Sequence, residues 1–154
     1  MTHIPGQPDP GLNHPTLDHS ARPRLDPGVL AKADALMAVL AKGKALDILA
    51  FDISRHSSFA DALFIATATS SRHAQALADQ VLAAAPAEKL GYLRMEGHNA
   101  GQWILLDCGD VIVNILLPAV RELYRLEGLW SGCPIFFGTP ETATQAAHSA
   151  NAST

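Results

Sequence analysis

The sequence predicts an α/β fold: one small domain with a mixed five-stranded sheet and about three helices, flanked by two flexible tails. Three observations predict it. Segments with helical period alternate with short β-rich runs along a body of residues 26–137. Two of those runs flank a Gly-bearing turn, the pattern of a β-hairpin. Both ends lack any apolar pattern, and six of the ten prolines lie within the first 27 residues.

Residues 1–25 carry Pro5, Pro8, Pro10, Pro15 and Pro23 among Gly, Asn, His and Asp. Such a stretch cannot bury enough apolar surface to offset the entropy of ordering it, so we expect a disordered arm. The body opens with a helix. Asp26 suits the N-cap and Pro27 the first helical position. Val29, Ala33, Leu36, Met37 and Leu40 form one stripe, and Gly43 is expected as a left-handed C-cap. The runs 46–53 and 62–68 read as strands. Ser70 is expected to cap a second helix carrying Ala74, Leu77, Ala78, Val81 and Leu82, which Pro86 stops. Residues 90–95 read as a short strand. Trp103–Leu106 and Val111–Leu117 form the hairpin. Pro118 opens a third helix through Val120, Leu123, Tyr124 and Glu127, closed by Gly128. Residues 138–154, rich in Ala, Thr and Ser, are expected to form a second flexible tail.

Composition limits the function. The net charge of −4 argues against a protein that coats nucleic acid, so little direct nucleic-acid binding is expected. No apolar run approaches the ~18 residues of a membrane span. No secretory signal is evident, so a cytoplasmic protein is expected. Cys108 and Cys133 are too few for a disulfide framework or a four-Cys zinc site.

The hairpin is the informative element. With Cys108-Gly109 as its loop, Leu106 pairs with Val111, Leu105 with Ile112, and Trp103 with Asn114. One face then holds Ile104, Leu106, Val111, Val113, Ile115 and Leu117 and belongs against helices. The opposite face holds Trp103, Leu105, Asp107, Asp110, Ile112 and Asn114. That mixture makes poor core. Either a further helix covers it, or it is a partner-binding patch anchored by Trp103, with an acidic rim suited to a basic partner. The helix carrying Tyr124 is a further candidate contact.

Catalytic readings are weaker. Asp61, Asp107 and Asp110 could converge on magnesium for nucleotidyl transfer, which stays open as the alternative. The turn Thr67–Ser71 has neither the glycines nor the lysine of a P-loop. No Gly-x-Ser-x-Gly elbow is present, and no His and Cys stand at metal-ligand spacing. No enzyme activity and no cofactor are expected.

Several ordered motifs together resemble one family. They are Ser57-Ser58-Phe59-Ala60-Asp61, Phe64 through His73, Trp103 through Asn114, and Arg121 through Trp130. These are similar to the ribosomal silencing factors, RsfS or Iojap, across about residues 28–131. Family members often carry His where this chain has Asn114 and Gly where it has Ala68; Asn keeps a donor and an acceptor but cannot become cationic. The resemblance implies a nucleotidyltransferase-like topology without established catalysis. It also implies binding to the large ribosomal subunit through its protein fourteen. That contact would block subunit joining and lower translation when nutrients are scarce. A homodimer is conceivable when the protein is free.

Overall fold

The computed structural model describes residues 25–138. The expected arm, up to residue 24, and the expected tail, from residue 139, lie outside the described residues. The domain follows the order α1 (Pro27–Lys42), β1 (Leu46–Asp52), β2 (Ala62–Thr67), α2 (Ser71–Ala84), β3 (Arg94–Glu96), β4 (Trp103–Asp107), β5 (Val111–Leu116), α3 (Pro118–Tyr124), α4 (Leu126–Leu129) and β6 (Ile135–Phe137). Six strands form one sheet in the order β3-β4-β5-β2-β1-β6. Only β2 and β5 pair in parallel, so the sheet is mixed as expected.

The sheet has six strands and not five. The additional strand, β6, pairs antiparallel with β1. It is only three residues long and shows no alternation by which a sequence could reveal it. Its reason is tertiary: Phe136 and Phe137 pack edgewise and tilted on Phe64, with ring centroids 6.4 and 6.3 Å away. The third helix also differs from expectation. Arg125 takes a left-handed conformation (φ 47°) and divides it into α3 and the single turn α4.

Two apolar clusters sandwich the sheet. On one face, α1 and α2 bury Val29, Leu36, Leu40, Leu77 and Val81 against Phe64, Ile104, Leu106, Val113 and Ile115. Each such aliphatic side chain contributes about 1.5–3 kcal/mol relative to exposure. Leu25, one residue before the expected start of the body, belongs to this cluster and is only 7% exposed. On the other face, Leu49, Phe51, Leu63, Ile65, Ile112 and Leu116 pack under Val120, Leu126 and Trp130 from the C-terminal segment.

The helix ends follow their sequence signals unevenly. Ser70 caps α2, its hydroxyl accepting from the His73 N–H at 3.0 Å. Asp26 precedes α1 with Pro27 at the first position, but its side chain makes no capping bond. Gly43 is not left-handed (φ −77°); the left-handed residue is Lys44 (φ 63°). Glycine at 43 also leaves room for α2, because a Cβ there would meet the side-chain ends of Gln80 and the buried Leu77, which would have to shift. No helix among the described residues is long and apolar enough to cross a membrane.

Candidate partner-binding surface

The hairpin turn is longer than Cys108-Gly109. Asp107 pairs with Ile112, Leu105 with Asn114 and Trp103 with Leu116. Every pairing is therefore displaced by two residues from the expected register, and Trp103 is opposite Leu116 rather than Asn114. The cause is a wider turn, closed by the Cys108 N–H donating to the Val111 carbonyl at 2.9 Å. A two-residue displacement leaves the faces intact, because side chains alternate with period two. Ile104, Leu106, Val113 and Ile115 still face the helices, while Trp103, Leu105, Asp107, Ile112 and Asn114 still share the other side.

The wide turn changes the place of Asp110. It stands in the turn rather than in the strand, and its carboxylate forms an ion pair with Lys32 of α1, on the helix side. Lys32 also donates to the Cys108 carbonyl at 2.9 Å. Asp110 is thus removed from the face where it was expected. Asp107 remains there. One of its oxygens accepts from the Gly109 N–H at 2.9 Å, which shapes the turn, and the other lies 3.6 Å from Arg94. The two carboxylates serve opposite sides of the hairpin. Among the described residues no three His, Cys, Asp or Glu side chains form a metal-binding group. The structure therefore does not assemble Asp61, Asp107 and Asp110 into a magnesium site.

The centre of the surface is an aromatic pair. The Trp103 indole N–H donates to Asn114 Oδ1 at 2.9 Å. Asn114 is 3% exposed, and its amide donates to the Phe64 carbonyl at 3.4 Å. The buried amide thus fixes the indole from below. Tyr124 of α3, 57% exposed, tilts across the Trp103 ring with centroids 5.1 Å apart. Leu116, the cross-strand partner of Trp103, is fully buried, Leu105 is half-buried next along the same face of β4, and the half-buried Asp107 with its buried partner Ile112 ends that face near the turn. Of the seven expected residues, Trp103, Leu105, Asp107 and Tyr124 reach the surface. Ile112 and Asn114 support it, and Asp110 lies elsewhere.

The connection entering β4 is held against α2. Gln75 donates to the His98 carbonyl at 2.9 Å, and His98 Nε2 lies 2.9 Å from Asp79. Gly101 has φ +65°, and a Cβ there would press within 2.9 Å of Ser71. This close approach delivers the chain to Trp103. Sequence reasoning passed over this loop, although its paired glycines, Gly97 and Gly101, were visible. On the other side, Arg121 bonds to the Asp47 carbonyl and to the Thr67 hydroxyl, both at 2.7 Å. Burial raises the Cys108 thiol to about 11, with neighbouring Lys32 opposing the shift.

The family model for "Ribosomal silencing factor during starvation", RsfS, matches residues 27–154. The chain belongs to the RsfS family. The RsfS of Chromobacterium violaceum is 41% identical over 91 residues, spanning 59% of this chain and 73% of that protein. The mouse protein named "mitochondrial assembly of ribosomal large subunit protein 1" is 30% identical over 133 residues, covering 79% of this chain and 58% of that one. An X-ray crystal structure of a Chromobacterium violaceum protein matches with a TM-score of 0.65 and 33% identity, across 72% of this chain and 92% of the other. RsfS names tie the family to translation regulation and to the ribosome.

Proposed function

We propose that this protein is a translational repressor of the cytoplasm that binds the large ribosomal subunit through its protein fourteen. Bound there, it blocks joining of the small subunit by occupying space, without catalysis. The contact is made by Trp103, Leu105, Asp107 and Tyr124, with Ile112 and Asn114 holding the surface from below. The observation that carries this reading is the aromatic pair: Trp103 is pinned by a buried amide yet leaves part of its ring accessible beside an exposed Tyr124. A rigid aromatic anchor loses little conformational entropy on binding, and Asp107, at the far end of the same face of β4, favours a basic partner. The net charge of −4 adds long-range attraction to such a partner.

The test is co-sedimentation of the full chain with purified large subunits, alongside calorimetry with isolated protein fourteen. Saturable binding to both is expected. Binding to bare ribosomal RNA but not to protein fourteen would overturn the reading.

A further inference from the structure

We propose that Arg121 is the positioning residue of this aromatic surface: its guanidinium, seated on the β1 bulge and the end of β2, sets where α3 holds Tyr124 against Trp103. The inference rests on the proposed binding role of that pair.

Neither α3 nor α4 contains a buried residue. Besides Tyr124 on Trp103, their apolar contact with the sheet is made by half-buried side chains, Val120 and Leu126, with Trp130 just beyond α4. Apolar packing of that kind tolerates sliding. Directional bonds fix the helix more narrowly: at its start the Leu117 N–H donates to the Gln102 carbonyl at 3.0 Å, and one turn further on Arg121 adds side-chain bonds to the sheet. Its side chain is 12% exposed. Nη1 donates to the Asp47 carbonyl and the Thr67 hydroxyl, each at 2.7 Å, while Nε pairs with Glu127 of α4. One planar group thus joins β1, β2, α3 and α4.

The acceptor at Asp47 is a product of local backbone geometry. The pairing of β1 with β2 shifts between Leu46 and Leu49, and Asp47 takes φ +48°. The extra residue leaves the ladder, so its carbonyl is available to the guanidinium. Asp tolerates the left-handed region better than most residues. Tyr124 is three positions after Arg121, on the adjacent turn. A shift of the fork is therefore carried directly to the ring. Lysine keeps the charge but lacks the planar fork.

The test uses full-length Arg121→Lys. Its urea unfolding should stay cooperative, with amide protection in α1 and α2 unchanged. Nuclear Overhauser contacts between the Trp103 and Tyr124 rings should weaken. Affinity for large subunits should fall about tenfold, the order expected for losing charge-assisted hydrogen bonds. In a Tyr124→Ala background the same change should cost less than about twofold, because the two residues then act through one contact. Unchanged ring contacts, or equal losses in both backgrounds, would overturn the proposal. Should Arg121→Lys fail to fold, Thr67→Val removes one acceptor of the fork; ring contacts that persist there overturn it equally. If the unmodified chain does not bind large subunits, the functional reading falls, while the ring contacts still decide the role of Arg121.

Discussion

Replacing Trp103 with alanine should separate two quantities that the sequence pattern merges. The indole N–H is the partner of Asn114 Oδ1, and Asn114 is 3% exposed. Truncation leaves a buried acceptor to find water through the new gap, which costs about 1–3 kcal/mol. Loss of the tilted contact with Tyr124, at 5.1 Å, adds about 0.5–1.5 kcal/mol. The sum, roughly 1.5–4.5 kcal/mol, is a large part of a typical stability of about 5–15 kcal/mol but smaller than most of that range. Trp103→Ala should therefore fold, with a visibly lower urea midpoint. Its affinity for large subunits should fall about 30- to 1,000-fold, the range for truncating an interface anchor. Trp103→Phe keeps an aromatic ring and removes only the donor, so it should lose about 1–2 kcal/mol of stability and much less affinity. Urea unfolding and co-sedimentation on the same preparations decide the matter. An unchanged midpoint in Trp103→Phe would refute the indole–amide bond. Normal binding by folded Trp103→Ala would refute the anchor.

Asp110→Asn should leave large-subunit binding unchanged and cost at most about 1 kcal/mol of stability, since Asp110 faces Lys32 and is partly solvated; Asp107→Asn should instead slow association and flatten its salt dependence. Gly101→Ala should destabilise by about 1–3 kcal/mol in urea unfolding and move the Trp103 indole resonance, because the residue has φ +65° and crowds Ser71. Cys108 is raised to about 11 from an ordinary 9.0 by burial. The folded state therefore holds this proton more tightly than the unfolded chain. That contribution to stability is complete below about pH 9 and is lost as pH rises towards about 11, which urea midpoints across that window in wild type and Cys108→Ala would reveal.

The start of α1 was legible because Pro27 is a backbone signal that acts locally. The faces of the hairpin were legible too, and they survived a two-residue error in register because alternation is insensitive to even displacements. The position of Asp110 did not survive it, since a turn residue obeys no alternation. What escaped the sequence was settled by distant partners. β6 exists because Phe136 and Phe137 find Phe64, and three residues carry no period of their own. Arg121 reads as one more polar residue on a helix, yet it bonds to a carbonyl 74 positions away, exposed by a bulge at Asp47. Gly43 does cap the end of α1, but without the left-handed conformation expected of it, and it also lies close to the side chains of α2.

On the proposed function, the Trp103 surface docks the protein on ground the small subunit needs. The direct measurement is subunit joining. Large subunits saturated with the protein are mixed with small subunits and resolved on a sucrose gradient, with folded Trp103→Ala as comparison. Wild type should keep the subunits apart, while the variant, at the same concentration, should let them join. Joining at full occupancy by the wild-type protein, or equal blockade by a folded Trp103→Ala, would contradict it.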